Sequence, residues 1–165
     1  MPKVAVIMGS DSDLPVLRGG ISRLKEFGVN VVVRAISAHR TPELAAQFAS
    51  NAEEEGIEVI IAAAGMAAHL AGAMAANTPL PVIGVPVKSG ALSGLDALYS
   101  TIMMPPGVPV AAVGIDAGDN AALLAIQMLS IKYPELRERM RQYKAQMAKK
   151  VAEKDARLAE AIQSL

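Results

Sequence analysis

The chain of 165 residues has no cysteine and no tryptophan, only two phenylalanines and three tyrosines, and two histidines. Without a thiol there is no disulfide, Cys-ligated zinc, iron–sulfur cluster or cysteine nucleophile, so chemistry must run on imidazole, carboxylate, hydroxyl, amine or guanidinium groups. His39 and His69 are the whole imidazole inventory and fall short of a metal site built from histidine alone. No metal is expected. The aromatic fraction of 3% leaves little to stack a flavin ring on. The missing cysteines suit a reducing cytoplasm, which is the expected location.

Charge of one sign is also missing. Sixteen Lys and Arg balance sixteen Asp and Glu. Nucleic-acid and membrane-surface binders need an excess of cations, so neither partner is expected. Long hydrophobic runs are scarce. The opening MPKVAVIMG is too short for a signal-peptide core and reads as a first strand. Residues 57–76, IEVIIAAAGMAAHLAGAMAA, approach the length of a membrane span. They hold Glu58 and His69, however, and Gly65 divides a β-branched half from an alanine-rich half, as at a strand-to-helix junction.

What is present is a chain 52% hydrophobic, enough for one compact domain over residues 1–165. Short β-branched runs alternate with stretches at helical spacing, the pattern of parallel strands joined by crossover helices. The runs predict strands at 3–8, 30–34, 57–63, 81–85 and 108–113. Helices are predicted at 12–27, 42–55, 67–77, 92–102 and 119–131, with a charged helix from 134 to near the end. Five such strands with right-handed crossovers give an α/β, doubly wound parallel sheet of flavodoxin-like order, in three α/β/α layers. The core would span about 1–132. Residues 133–165 would form an extended C-terminal helical arm, whose stripe of Leu136, Met140, Tyr143, Met147, Val151 and Leu158 covers either its own sheet or a neighbouring subunit.

In this topology ligands bind beyond the C-terminal strand ends, and the unusual polar residues collect there. After the first strand comes GSDSD, where Ser10 and Ser12 offer hydroxyls and backbone N–H groups at a helix start. Such residues suit either a phosphate or plain N-capping. Asp11 and Asp13 carry the wrong sign for phosphate, so Asp13 is assigned to sugar hydroxyls. After the second strand comes SAHRTP, with Thr41 and Pro42 at N-cap and N1 of the next helix. A stiff loop would thus hold His39 beside Arg40, a proton-transfer group next to a planar fork for a phosphate. A solvated surface pair is the plainer reading. AGMAAHL then places His69 in the first turns of an alanine-rich helix after Gly65, where a neutral imidazole is favoured as a hydrogen-bonding partner, catalytic or structural. Lys88, Ser89, Ser93 and Asp96 follow the fourth strand, where Gly90 and Gly94 would let the loop bend over a ligand.

Neither GxGxxG nor GxxxxGK[ST] occurs, so the dinucleotide and P-loop fingerprints fail. A receiver-type signalling domain would need an Asp at the third strand's end, where this chain has Ala64-Gly65.

Taken together, MGSDSD, SAHRTP, AAHL and GVPVKSGALSGLDALYS resemble, in this order, the PurE family, the catalytic subunits of phosphoribosylaminoimidazole carboxylase in purine biosynthesis. The similarity covers nearly the whole chain. GVPV, ALSGLD and MPPGVPV look like the class that rearranges N5-carboxyaminoimidazole ribonucleotide into 4-carboxyaminoimidazole ribonucleotide. The other class carboxylates aminoimidazole ribonucleotide (AIR) directly with CO2, and a non-catalytic flavodoxin-like signalling or binding module is a further alternative. The resemblance implies a homo-octamer with sites between subunits, a small-molecule ribonucleotide substrate and no cofactor. It implies that His39 transfers the proton, and that Ser10, Ser12, Asp13, Ser37, Ala38 and Arg40 bind the ribonucleotide. Gly65, Ala67, His69 and Leu70 would line the pocket for base and carboxylate. The chain departs from the family pattern at Met66, Ala71 and Met103, and Met66 would add bulk beside that pocket.

Overall fold

The computed structural model describes residues 1–163. Five strands form one sheet: β1 (Lys3–Met8), β2 (Asn30–Ala35), β3 (Val59–Gly65), β4 (Val82–Val87) and β5 (Ala111–Ala112). Their order is β2-β1-β3-β4-β5, and every neighbouring pair is parallel. Between and after them run α1 (Leu14–Glu26), α2 (Pro42–Asn51), α3 (Leu70–Ala75), α4 (Leu95–Ile102), α5 (Gly118–Leu129) and α6 (Pro134–Gln163). This is the doubly wound α/β sheet the strand pattern predicts, with strand order reversing between β1 and β3.

The alternation of side chains along each strand builds two cores. Val4, Val6 and Met8 of β1, Val59, Ile61 and Ala63 of β3, and Ile83, Val85 and Val87 of β4 face one side, under α1, α5 and the start of α6. Ala5, Ile7, Ile60, Ala62 and Val82 face the other, under α2 and α3. The three central strands are covered on both faces and are therefore apolar nearly throughout.

Boundaries shift where backbone chemistry intervenes. The first crossover opens with a separate 3₁₀ turn, Asp11–Asp13, before α1. The strand predicted at 108–113 shrinks to Ala111–Ala112, because Pro109 has no N–H to give the ladder. β3 begins at Val59 rather than 57, while β4 runs on to Val87. The predicted helix 42–55 ends at Asn51 in turns that close on Gly56, whose φ is +75°. The helix predicted from 92 starts only at Leu95, since Ser93 and Gly94 both have left-handed backbone.

The segment 57–76 is strand, loop and short helix, and among the described residues no helix is long and apolar enough to cross a membrane. On α6, Leu136 and Met140 are buried and Tyr143 stacks edge-on to Phe27 at 5.9 Å, so the stripe's first half covers its own domain. Met147, Val151 and Leu158 are exposed. The last two residues of the predicted arm lie outside the described residues.

Candidate active site

The C-terminal ends of β1, β2 and β3 and their loops enclose a cavity of about 590 Å³ at the topological switch point. The residues to which the sequence assigns proton transfer or substrate binding all line it: Ser10, Ser12, Asp13, Ser37, Ala38, His39, Arg40, Gly65, Ala67, His69 and Leu70.

The turn after β1 is organised by Ser10. Its Oγ accepts from Ser12 N at 3.3 Å and from Ser12 Oγ at 2.9 Å, so the capping role assigned to this motif is real. Asp13, by contrast, makes no side-chain cap bond and leaves its carboxylate available to the cavity. Partial burial pushes the Asp13 pKa up, a backbone hydrogen bond from Ser10 opposes this, and the carboxylates of Asp11 and Asp116 add to the rise.

After β2 the chain closes into a compact loop. The Thr41 hydroxyl occupies the N-cap position but does not cap α2; it donates to Ser37 O at 2.9 Å and accepts from Ser37 N at 3.1 Å. Arg40 N donates to Ser37 Oγ at 3.1 Å. Ser37 and Thr41 thus cinch the loop, and Pro42 fixes the start of α2. His39 and Arg40 sit on its outside, exposed, and the Arg40 guanidinium has no ion-pair partner among the described residues.

The helix expected to contain His69 starts one residue later. His69 is the N-cap residue of α3, its own N–H bonded to Ala67 O at 2.9 Å, because Met66–Ala68 form an irregular loop rather than a first helical turn. This position brings its ring to the second loop. His39 Nε2 and His69 Nδ1 stand 2.8 Å apart, with ring centroids at 4.9 Å and planes at 81°. One of these nitrogens must carry the shared hydrogen and the other a lone pair. His39 Nδ1 and His69 Nε2 are the ring nitrogens left without a side-chain or backbone partner among the described residues.

Gly9, Ala64, Met66 and Ser89 complete the lining. Ser89 is the one residue of the Lys88, Ser89, Ser93 and Asp96 group that reaches the cavity, and a serine in a glycine-containing loop carries no signal of its own role. In the fold its Oγ accepts from Met66 N at 3.2 Å, joining the loops after β3 and β4. A Cβ on Gly65 would collide with that same Oγ, so glycine is needed for the close approach. Met66 does line the cavity, but it is 62% exposed and has a left-handed φ of 52°. Its bulk lies at the mouth. Lys88, Ser93 and Asp96 do not reach the cavity lining.

The site therefore combines an unpaired cation, a hydroxyl cluster, a partly buried carboxylate and a hydrogen-bonded imidazole pair, between walls made largely of alanine and glycine. That set can anchor a phosphorylated ligand and move a proton beside it.

A curated N5-carboxyaminoimidazole ribonucleotide mutase of Pyrococcus abyssi is 60% identical over 147 residues, covering 89% of this chain and 84% of the relative. One from Thermotoga maritima is 54% identical over 158 residues, covering 96% and 92%. The crystal structure of Treponema denticola PurE superposes with a TM-score of 0.85 at 32% identity, over 96% of this chain and 99% of that one. The sequence model of the AIR carboxylase family matches residues 3–150, and the chain belongs to that family.

Proposed function

We propose that this protein is an isomerase that converts N5-carboxyaminoimidazole ribonucleotide into 4-carboxyaminoimidazole ribonucleotide in purine biosynthesis, the activity for which its relatives are named. The observation that carries the assignment to these residues is the His39–His69 contact in the cavity wall, beside an unpaired Arg40.

Arg40 and the hydroxyls of Ser10, Ser12 and Ser37 hold the phosphate, and Asp13 accepts hydrogen bonds from the ribose hydroxyls. His39, protonated, gives its proton to the carbamate nitrogen. The N–C bond breaks, CO2 is released into the pocket, and neutral AIR remains. The electron-rich C4 of AIR attacks the CO2, forming the new C–C bond. His39, now neutral, removes the C4 proton and the ring regains aromaticity, so the proton given in the first step is recovered in the last.

His69 supports both halves of this exchange. With Nε2 of His39 tied to His69, the proton is handled at Nδ1, and the ring is held in one orientation. Small apolar walls, Ala38, Ala64, Gly65 and Ala67, line the pocket beside the imidazoles and offer the released CO2 no competing nucleophile.

The exposed Tyr99, Ile102 and Met103 at the end of α4, and Met147, Val151 and Leu158 on α6, support subunit contacts in a homo-octamer with sites at its interfaces, for which α6 is the arm. Native mass spectrometry should give eight copies. A cytoplasmic location goes with this metabolic role.

The decisive variant is His39→Asn. Loss of a general acid–base group costs roughly 10²–10⁴-fold in rate, so turnover of N5-carboxyaminoimidazole ribonucleotide should fall by that factor while ribonucleotide binding stays measurable by calorimetry. Near-normal activity would remove His39 from the mechanism. Supplying AIR with bicarbonate instead should give little product at low CO2; efficient conversion there would make the protein a direct carboxylase. Absence of both activities would leave a binding module.

A further inference from the structure

The loop after β4 is fastened on two sides. On the cavity side, Ser89 Oγ receives the Met66 N–H at 3.2 Å and packs against Gly65. On the far side stands Asp116, in the turn between β5 and α5, which does not line the cavity. Its Oδ1 accepts from Lys88 N at 2.8 Å, and its own N–H donates to Pro86 O at 2.9 Å. The same turn meets the loop again at its end, where a Cβ on Gly94 would lie 2.9 Å from Ile115 Cγ2 and 3.1 Å from Lys88 Cα.

Asp116 adopts a left-handed φ of 58° to make both bonds. Asp tolerates that region better than most residues because its short polar side chain bonds locally. An exposed side chain in a rare backbone conformation, with both polar ends committed to one neighbouring segment, is built to hold that segment in place.

We propose that Asp116 is a positioning residue, whose carboxylate fixes the Lys88–Gly94 loop and, through Ser89, the Gly65–Met66 rim of the cavity. The proposal rests on the reaction assigned above for its kinetic consequence, but not for the mechanical link itself. The Arg40 loop follows β2, which β1 and β3 separate from β4 in the sheet. Loosening this chain of contacts should therefore disturb the reacting end of the substrate more than its phosphate anchor. Asp116 also bears on Asp13 through its negative charge, and the choice of variants must separate that effect from the hydrogen bond.

Asp116→Gly keeps the left-handed backbone at no steric cost and removes the acceptor. Asp116→Asn keeps the acceptor and tolerates the backbone, and removes the charge. Charge loss is common to both, so a difference between them reports the bond to Lys88 N. Expected for Asp116→Gly is a kcat about tenfold lower with KM within about threefold, because small displacements of positioning groups are costly. Expected for Asp116→Asn is a kcat within about twofold of the unmodified protein, with the same pH profile shift as the glycine variant.

Hydrogen exchange on the full-length protein supplies the second measurement. Peptides holding Lys88 and Met66 should exchange about tenfold faster in Asp116→Gly than in Asp116→Asn, with β1 and β3 unchanged. Unaltered kcat and exchange in Asp116→Gly overturn the proposal. So does an Asn variant as impaired as the Gly variant, or exchange that accelerates across the whole sheet. If the unmodified protein fails on N5-carboxyaminoimidazole ribonucleotide, the assigned reaction fails, and exchange at Met66 still decides whether Asp116 holds the rim.

Discussion

Gly19 and Gly20 are neighbours in the middle of α1, yet a methyl group added at one or the other should change stability in opposite directions. Gly19 is exposed, and a Cβ there meets nothing within 4 Å. Alanine should stabilise the helix by about 0.8 kcal/mol, the usual difference in helix propensity. Gly20 is buried against α5, where a Cβ would collide with the carbonyl oxygen of Gly118 and stand 3.3 Å from Ala122 Cβ. The arrangement is reciprocal, since a Cβ on Gly118 would strike the carbonyl of Val16 in the first turn of α1. The obstacle is backbone on both sides, so no rotamer change relieves it. Overpacking of this kind costs about 1–3 kcal/mol, and the rigid obstacle puts Gly20 at the upper end. With the propensity gain subtracted, Gly20→Ala should be about 2 kcal/mol less stable than the unmodified chain. The two alanine variants should then differ by about 3 kcal/mol, or roughly 6–12 °C in Tm for a domain of this size. Urea denaturation at one fixed protein concentration measures the gap without confusing it with assembly. Equal shifts in the two variants, or a stabilised Gly20→Ala, would refute the close helix contact.

Two further predictions concern pH. Burial opposes ionisation of Glu58, but hydrogen bonds from Lys132 Nζ at 2.9 Å and Tyr133 Oη at 2.8 Å outweigh it and hold the carboxyl below its usual range. Its folded-state pKa is lowered, so its stabilisation is present above the ordinary carboxylate pKa and disappears as pH falls through the depressed one. Glu58→Gln should lower stability at pH 7 and match the parent chain in strong acid; a pH-independent difference would contradict the assignment. Asp13 has the opposite sign. Burial, with the charges of Asp11 and Asp116, raises its pKa, so ionised Asp13 is less stable folded than unfolded, and stability is lost as pH rises through the raised value. Asp13→Asn should therefore unfold later than the parent at neutral pH, converge with it in acid, and bind ribonucleotide more weakly in calorimetry. A variant destabilised at pH 7 would show that the carboxylate supports the turn rather than the ligand.

Much of the fold is legible locally. Runs such as VAVIM and VIIAA announce buried parallel strands because each must be apolar on both faces, and Thr41-Pro42 marks a helix start through the fixed φ of proline. That the residues before α1 and α2 share one cavity is legible for the same reason, since the topology places strand ends on one edge. Boundaries were less so. β5 loses most of its predicted length to Pro109, and α4 yields its first turn to Ser93 and Gly94, effects that depend on which backbone groups find partners.

By itself, then, the sequence determined the class of fold, the ligand-bearing edge and the chemical groups available there, because periodicity, caps and motif residues act within a few positions of one another. Only the tertiary structure decided which groups meet. His39 and His69 are thirty residues apart, Ser89 reaches Met66 from the end of the neighbouring strand, and Asp116 holds Lys88 from beyond β5. Those pairings depend on the strand order β2-β1-β3-β4-β5 and on how closely helices approach, and no local pattern encodes either one. Gly19 and Gly20 show the same division: the chain writes them identically, and packing against α5 makes one of them indispensable.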